Sequence, residues 1–335
     1  MNAPTPVSKP VRVFGNYEIL SLLGKGGMAE VYRARVRSGP YEGWTVALKR
    51  LLPALTRDPA SVDLFRREAQ LSRQLDHPNI VKVLDAGMLD DVSFLVMDLV
   101  DGRDLGHILR RCKARGIPLP LDFAVYLAKV LLEALAYAHT ATGPDGTPLG
   151  IVHCDVSPSN LFISRVGEIK LGDFGVSRVL VDGKLQGGEV LGKPYYLSPE
   201  SLQGAVTPEA DLWAASVVLY ELLTLGRPFV GTTPEEVFAG ILSRKYRLLS
   251  SVRPDIPQAL DAVLARAFAE NPEDRFPSAE EYAKALSPHF DENVGTPLAI
   301  AAVVRGLFGT TDEMPAYRSP PPSNGPSDGS PDGNG

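Results

Sequence analysis

Three polar residues follow one another at short intervals in the middle of the chain, each beside an apolar run. Asp155 and Asn160 lie five positions apart in "GIVHCDVSPSNLFI", and Asp173 ends the strand-like stretch "IKLGD". Carboxylate and amide oxygens suit Mg²⁺, so Asn160 and Asp173 could hold an ion that bridges nucleotide phosphates. The separate carboxylate of Asp155 could accept a hydroxyl proton. Each residue alone is as often a turn residue, but the ordered set predicts this chemistry.

A glycine-rich stretch near the start of the chain could hold the phosphates. "LLGKGGMAEVYRARV" (22–36) places Gly24, Gly26 and Gly27 between two strand-like runs. A hairpin turn is the plain alternative, and the stretch by itself favours it. Because no helix follows the glycines, a dinucleotide-binding turn is disfavoured. A glycine hairpin instead lets backbone N–H groups approach phosphate oxygens without a Cβ in the way, and Val31 could cover an adenine ring.

A lysine and a glutamate follow the glycines and could complete the phosphate site. Lys49 comes after the apolar run of "WTVALKRL", where a phosphate would lie, and Glu68 is 19 positions further on. The alternatives are a strand-end lysine that reaches for water and a solvated charge on a helix.

The apolar pattern predicts the elements that must position these residues. Residues 17–51 alternate as strands do, and residues 61–80 have the spacing of an amphipathic helix with Phe65, Leu71 and Leu75 on its apolar face. Two more strand-like runs follow, and then a series of long helical runs. The sequence therefore predicts an α+β fold, with a small β-rich lobe before a larger helical lobe.

Composition narrows the class of protein. The chain has 335 residues, of which 44% are hydrophobic and 22% charged, and its net charge is −6. These values are typical of a soluble globular protein and do not indicate a nucleic-acid binder. Only Cys112 and Cys154 are cysteines, so a disulfide framework is not expected and a reducing cytoplasm is the simplest setting.

The two ends of the chain differ from the middle. Residues 1–16 have no signal-peptide core and are expected to be a flexible segment. Residues 291–314 are expected to form a short extension, whose apolar run 297–309 is too short for a bilayer, which takes about 20 residues. This run is predicted to be a helix packed back on the domain. Residues 315–335 are rich in Pro, Gly and Ser and are expected to be disordered.

Taken together, these motifs resemble those of eukaryotic-type (Hanks-type) bacterial serine/threonine protein kinases. The resemblance covers the glycine loop, "VALK", "HCDVSPSN", "DFG", "SPE" and a late arginine in "EDRF". It implies a bilobal protein-kinase fold over residues 17–290. The β-rich N-lobe with one important helix would span residues 17–98, and the mainly helical C-lobe residues 99–290.

The resemblance implies an ATP site and a magnesium site. Lys49, paired with Glu68, would hold the α- and β-phosphates, Asn160 and Asp173 would bind Mg²⁺, and Asp155 would orient and deprotonate the acceptor hydroxyl. The other residues implied to bind ATP are the glycine loop and the hinge with its gatekeeper Met97: Leu23, Gly24, Lys25, Gly26, Gly27, Ala29, Val31, Ala47, Met97, Asp98 and Val100. Ala29 stands where the family has its third glycine.

Four further residues would be structural by the same resemblance. Glu200 of "SPE" would pair with Arg275 in a buried scaffold contact, and Asp211 would hold the catalytic loop through backbone hydrogen bonds. His153 is interpreted as a packed histidine rather than a base.

The chain departs from the family where a phosphorylated activation segment is normally recognised. The arginine before the catalytic aspartate is Cys154, and residues 179–191 contain no Ser, Thr or Tyr. We therefore expect activity that does not require phosphorylation of this segment, unless another residue such as Ser177 is modified. Cys154 could be a redox-sensitive thiol, although a small filler residue is the simpler interpretation.

Two more departures concern charge beside Asp155. The family's lysine two residues after the aspartate is Ser157, and the family's threonine in "G-T-x-x-Y" is Lys193. Because the two positions face each other in the family fold, Lys193 is predicted as a catalytic residue that returns the lost cation. The alternative is that Lys193 points to solvent.

The interpretation is a protein kinase that transfers the γ-phosphoryl group of Mg²⁺-ATP to serine or threonine of protein substrates. A tyrosine acceptor, a pseudokinase scaffold and a small-molecule phosphotransferase are the alternatives. A cytoplasmic location and a soluble regulatory partner are expected, with no nucleic acid and no membrane.

Overall fold

Alternating apolar residues in the first third of the chain build one antiparallel sheet. In the computed structural model, which describes residues 12–174 and 193–308, its strands run in the order β1-β2-β3-β4-β6-β5. Val46 and Leu48 of the central strand, with Ala34, form the core of one face. The strands are β1 (Arg12–Phe14), β2 (Tyr17–Lys25), β3 (Ala29–Val36), β4 (Thr45–Leu51), β5 (Val83–Leu89) and β6 (Val92–Asp98).

The sheet begins earlier than the sequence pattern indicates. Arg12 pairs with Ile19 and Phe14 with Tyr17, so β1 is an edge strand of the sheet. The expectation of a flexible segment over residues 1–16 is therefore wrong for residues 12–14. A three-residue strand is too short to show an alternating pattern, which explains the error.

One helix, α1 (Pro59–Ser72), packs on the other face of the sheet. Asp58 caps it by accepting a hydrogen bond from the Ser61 backbone N–H at 3.0 Å, and Pro59 suits its first turn. Phe65 and Ala69 are buried with Leu95 of β6. The helix ends at Ser72, earlier than the apolar spacing over residues 61–80 predicts.

The second lobe is mainly helical, so the predicted bilobal α+β fold is confirmed. Helices α3 and α5 are buried on most sides, with Trp213 of α5 fully enclosed. The helices of the lobe are α2 (Leu105–Arg115), α3 (Leu121–Thr140), α4 (Pro199–Leu202), α5 (Pro208–Thr224), α6 (Pro234–Ser243), α7 (Leu249–Val252), α8 (Gln258–Ala267), α9 (Ala279–Leu286) and α10 (Pro297–Phe308).

A small second sheet lies where the lobes meet. It consists of β7 (Gly102–Asp104), β8 (Leu161–Ser164) and β9 (Ile169–Leu171), in that order. The Leu171 carbonyl accepts from the Val81 N–H at 2.8 Å, and the Leu171 N–H donates to the Asn79 carbonyl at 2.7 Å. These two backbone bonds tie the segment before β5 to the C-lobe. Consequently the ends of β8 and β9 have a fixed position below the first sheet.

Helix α10 packs on the C-lobe through one apolar face. Its residues Ile300, Val304 and Leu307 are buried in the lobe's core cluster. Arg111 Nε and Arg115 Nη1 of α2 donate to the Leu307 and Gly306 carbonyls at 3.2 and 3.3 Å, so cations meet the negative end of the helix. Among the helices of residues 12–174 and 193–308, none is both long and apolar enough to cross a bilayer.

A buried ion pair joins the start of α4 to the segment before α9. Arg275, 1% exposed, donates through Nη1 and Nη2 to Glu200 Oε1 and Oε2 at 2.6 and 2.9 Å, and its guanidinium lies 4.9 Å from the Trp213 ring centroid. Further donors reach the Ala269, Glu270 and Glu209 carbonyls. This pair is the scaffold contact that the sequence predicts.

We expect α10 to contribute to the stability of the domain. Ile300→Ala should lower the free energy of unfolding by about 3 kcal/mol, because it opens a cavity at a site that is 2% exposed. Leu298→Ala on the same helix, at a site 74% exposed, should change it by less than about 0.5 kcal/mol. Urea unfolding followed by circular dichroism measures both values. Equal effects would show that α10 does not pack on the domain in solution.

We also expect a large cost from breaking the buried ion pair. Glu200→Ala should destabilise the fold by about 3 kcal/mol, because the Arg275 guanidinium would stay buried without its carboxylate. The exposed pair Arg244–Glu270, 2.7 Å between Nη2 and Oε2, provides the matched control. Glu270→Ala should cost less than about 1 kcal/mol in the same denaturation experiment. A Glu200→Ala effect as small as the control would contradict the assigned role.

Candidate active site

A cavity of about 540 Å³ opens between the two lobes, beneath β2 and β3. Its upper wall is apolar, with Val31 and Ala47, and its inner edge follows the end of β6 and the residues after it. Predicted ATP-binding residues therefore lie together around one space. Those that line the cavity are Leu23, Gly24, Val31, Ala47, Met97, Asp98 and Val100, and the predicted metal ligand Asp173 lines it with them.

Six residues predicted to bind ATP lie outside the lining of this cavity. Lys49 and Glu68 form the ion cluster described below, and the other four belong to the β2–β3 hairpin: Lys25, Gly26, Gly27 and Ala29. The Gly26 N–H donates to the Ala29 carbonyl at 2.8 Å, which closes the tip, and Lys25 pairs with Glu30 at 3.1 Å. The Ala29 side chain is buried in the apolar cluster with Leu51 and Phe65, so only the three residues at the exposed tip are open to a ligand that extends outward from the cavity.

The sequence analysis did not name several residues that line the cavity. They are Val81, Gly102, Arg103, Asp104, His107, Phe162 and Gly172. Strand alternation was a usable signal for Phe162, which is half-buried between the buried residues Leu161 and Ile163 of β8. No comparable signal marks Val81 or His107, which reach the cavity only through the tertiary fold.

Lys49 is the centre of a buried ion cluster that joins three elements. Its Nζ lies 2.6 Å from Glu68 Oε1 on α1 and 2.7 Å from Asp173 Oδ1, which follows β9. Lys49 and Glu68 are buried, whereas the Asp173 side chain is 46% exposed. Neither residue is therefore the solvated charge that the sequence left open.

Charge and burial act in opposite directions on this cluster. Burial alone would lower the pKa of Lys49, but the Asp173 and Glu68 carboxylates outweigh it and hold this pKa above its usual value. The Lys49 ammonium keeps the pKa of Asp173 below its usual value. Burial is the main influence on Glu68 and raises its pKa. Lys49 and Asp173 are thus both held in their charged forms, ready to meet a phosphate and a cation.

Asp211 of α5 holds the loop that carries Asp155, residues 151–157, which we call the catalytic loop. Its Oδ2 and Oδ1 accept from the backbone N–H groups of His153 and Cys154 at 2.8 and 2.9 Å, and His139 Nε2 lies 2.8 Å from Oδ2. His153 is fully buried against Phe174, with 4.6 Å between ring centroids, and its Nε2 lies 3.1 Å from the Gly172 carbonyl. These contacts are those of a packed histidine, as the sequence analysis interprets it. His139 was not anticipated.

Two residues of the site adopt left-handed backbone conformations. Cys154 has a φ of 64° and Asp173 a φ of 61°, a region that costs energy for residues other than glycine. The Asp211 bonds compensate at Cys154, and the Lys49 pair compensates at Asp173. Each strained turn aims a carboxylate: Asp155 follows Cys154 directly, and Asp173 is itself turned towards Lys49.

Neither cysteine of the chain forms a disulfide.

Asp155 and Asn160 are hydrogen-bonded to each other. Asn160 donates through Nδ2 to the Asp155 carbonyl at 2.8 Å and to Asp155 Oδ2 at 2.9 Å. Its nitrogen is thus committed, and its side-chain carbonyl oxygen is the atom that could reach a metal ion. Asp173 has one oxygen on Lys49 and a half-exposed carboxylate. These donors fit a hard divalent cation that keeps water or phosphate oxygens as its other ligands.

A site of three or more protein ligands is not found nearby. Across the described parts of the chain, no group of three or more His, Cys, Asp and Glu side chains lies together in a metal site. An ion here would therefore depend on Asn160, Asp173 and oxygens from its nucleotide, which is how Mg²⁺ usually binds with phosphates.

Lys193 lies beside Asp155 and Ser157, where the sequence analysis expects it. Its Nζ donates to Ser157 Oγ at 2.7 Å and lies 3.3 and 3.4 Å from the two carboxylate oxygens of Asp155. Its side chain is 41% exposed. Ser177 and residues 179–191 fall outside the described residues.

Comparison with known proteins matches this geometry to one family. The protein kinase domain family matches residues 17–286. The tyrosine-protein kinase MasK of Myxococcus xanthus is 36% identical over 307 residues, which cover 88% of this chain and 46% of that protein. The serine/threonine-protein kinase PrkC of Bacillus subtilis is 34% identical over 282 residues, or 84% of this chain and 41% of PrkC.

A solved structure shares the architecture. The crystal structure of the PknI kinase domain of Mycobacterium tuberculosis is 29% identical, covers 84% of this chain and 100% of that one, and superposes with a TM-score of 0.63. The present chain spans a little under half the length of the curated relatives. The lobes, the lysine–glutamate pair and the two family motifs around Asp155 and Asp173 agree with these matches, and the chain belongs to the protein kinase domain family.

Proposed function

We propose that this chain transfers the γ-phosphoryl group of Mg²⁺-ATP to serine or threonine hydroxyls of proteins. The observation that carries the proposal is the Lys49 ammonium held 2.6 and 2.7 Å from Glu68 and Asp173 at the edge of the interlobe cavity. This arrangement presents one cation for phosphates and one carboxylate for the metal. Mg²⁺ on Asn160 and Asp173 would neutralise phosphate charge.

The glycine hairpin supports a phosphate beneath it. Gly24 and Gly27 have open space where a Cβ would lie, and Gly26 would meet only the Ala29 carbonyl at 3.7 Å. All three have φ values outside the left-handed region. Neither crowding nor the turn therefore demands glycine, so a requirement from outside the chain is the better explanation. Backbone N–H groups that must approach phosphate oxygens closely supply that requirement.

The acceptor type rests on the relatives and on the site together. PrkC and the probable kinase SCO3848 of Streptomyces coelicolor are named serine/threonine kinases, whereas MasK is named a tyrosine kinase. We favour serine and threonine, and tyrosine is the second candidate. A pseudokinase scaffold is the other alternative, and the substitutions Cys154 and Ser157 favour it. Against a scaffold, every polar group needed for metal and proton handling is present.

We further propose that activity does not require phosphorylation of the activation segment. No Ser, Thr or Tyr occurs in residues 179–191. Two of the three hydroxyls at positions 193–200 are already engaged: Tyr196 donates to Glu221 Oε2 at 2.8 Å, and Ser198 caps α4 by accepting from the Ser201 N–H at 3.2 Å. The Cys154 side chain also offers no cation that could bind a phosphate.

Asp155→Ala should abolish transfer while ATP still binds. We expect a rate loss of at least about 100-fold, because Asp155 is the carboxylate that would take the acceptor proton. Radiolabelled ATP with a generic protein substrate measures turnover, calorimetry measures ATP affinity, and mass spectrometry identifies the modified hydroxyls. Asp145→Ala, in an exposed surface turn, is the control. An inactive wild-type protein that still binds ATP would favour the scaffold, and labelled tyrosines would favour the second candidate.

Phosphatase treatment and Ser177→Ala should both leave the turnover number unchanged. The physical reason is that the segment lacks both an acceptor hydroxyl in residues 179–191 and the usual arginine receptor. The measurement is the initial rate of peptide phosphorylation before and after treatment, with the remaining phosphosites mapped by mass spectrometry. A phosphate between residues 176 and 200 whose removal stops turnover would refute this proposal.

A further inference from the structure

The ammonium of Lys193 is held in a position that an ordinary surface lysine would not keep. Ser157, which accepts its hydrogen bond at 2.7 Å, is itself 2% exposed and lies with its Oγ 3.3 Å from Ser159 Oγ. Both Asp155 oxygens are also within 3.4 Å of Lys193 Nζ. Three oxygens from the catalytic loop thus fix the charge next to the carboxylate that would take the acceptor proton.

The backbone that carries Lys193 is anchored as well. Lys193 precedes Pro194, which favours an extended conformation, and it caps a 3₁₀ turn that Tyr196 completes through its N–H bond to the Lys193 carbonyl at 3.0 Å. The Tyr196 hydroxyl binds Glu221 of α5, and Arg227 stacks on Tyr195 with its guanidinium carbon 3.9 Å from the ring centroid. These contacts connect Lys193 to the core of the C-lobe.

The two partners of Lys193 differ in charge and in distance. Ser157 is neutral, so its 2.7 Å hydrogen bond positions the ammonium without offsetting its charge. The Asp155 carboxylate is further away, with its oxygens 3.3 and 3.4 Å from Nζ, and the Lys193 side chain is 41% exposed. The shortest contact of the ammonium is therefore to a neutral group, which leaves it able to meet another anion.

We propose that Lys193 is a catalytic cation of this kinase, positioned by Ser157 to meet the negative charge on the transferred phosphoryl group. In that step the acceptor oxygen bonds to phosphorus, the bond between phosphorus and the leaving diphosphate oxygen breaks, and the diphosphate keeps the electron pair. The hydroxyl proton goes to Asp155. The inference rests on the proposed kinase activity, and it adds that Lys193 supplies the positive charge that the family's lysine would supply from position 157.

A purely structural role is the competing explanation. Lys193 could simply tie its own segment to the catalytic loop through Ser157 and Asp155. The two roles differ in what a neutral donor can replace. A glutamine at position 193 can donate to Ser157 and keep the tie, but it carries no charge for a phosphoryl oxygen.

The first test is a mutant cycle on the single-turnover rate of peptide phosphorylation at saturating ATP. Lys193→Met and Lys193→Gln should each slow the chemical step by about 100-fold, since each removes one positioned donor of charge. Adding Ser157→Lys to Lys193→Met should restore at least about 10-fold, because a cation returns from the facing position. Lys245→Met, at an exposed site of the same lobe, should not change the rate.

The second test does not depend on turnover. Calorimetry compares the affinity of each variant for ATP with its affinity for ADP, aluminium fluoride and peptide together, a mimic of the transferring phosphoryl group. Lys193→Met should weaken binding of the mimic by about 100-fold and leave ATP affinity unchanged. Thermal unfolding checks each variant, and Lys193→Gln replaces Lys193→Met if the latter does not fold.

The outcomes separate the two proposals. Wild-type protein that neither turns over nor binds the mimic defeats the proposed function. Normal wild-type turnover with an active Lys193→Gln variant, additive effects in the cycle, or equal losses of affinity for ATP and for the mimic would overturn the role of Lys193 alone.

Discussion

A single ammonium group holds the two lobes in register. Lys49 comes from the sheet, Glu68 from the helix behind it, and Asp173 from a strand end of the C-lobe. The two carboxylates lie 2.6 and 2.7 Å from Lys49 Nζ. A charge this deeply buried is tolerated only with charged partners, so the cluster requires all three elements to be in place at once. The arrangement of the sheet, the helix and the C-lobe around the cleft therefore keeps the Lys49 ammonium paired with both carboxylates.

The C-lobe provides a rigid support for the reacting groups. Asp211, on the buried helix α5, accepts hydrogen bonds from two backbone N–H groups of the catalytic loop. This support offsets the left-handed backbone at Cys154, directly before Asp155. The Asp173 and Lys193 side chains are 46% and 41% exposed, whereas Asp211 beneath them is buried. Precision at a solvent-accessible site comes from the packing beneath it.

The sequence was sufficient for the fold class and for most of the polar site. Strand alternation and helical spacing are local signals, and they predicted two lobes. The spacing of Asp155, Asn160 and Asp173 was also local, because all three flank one small sheet. Lys193 was predicted from a resemblance to face Ser157, and its Nζ lies 2.7 Å from Ser157 Oγ.

The remaining parts required the tertiary structure. Val81 and His107 reach the cavity from elements distant in sequence, so no local pattern marks them. β1 is too short for any period to show. Helix α2 is a different case, because its four buried residues have the amphipathic spacing i, i+3, i+4 and i+7 and the sequence alone could have predicted it. The hairpin tip of Gly26 and Gly27 required the structure in another way: the motif identifies the loop, and the structure decides which of its residues border the cavity.

The helix after the kinase core alters where the physical domain ends. The family match stops at residue 286, yet Ile300, Val304 and Leu307 cover apolar surface of the same core, and two arginines of α2 bind the end of that helix. A recombinant fragment that stopped at residue 286 would expose a contiguous apolar patch to water. Such patches promote self-association, so low solubility of that fragment would reflect the loss of the helix that covers its core rather than an unstable kinase fold.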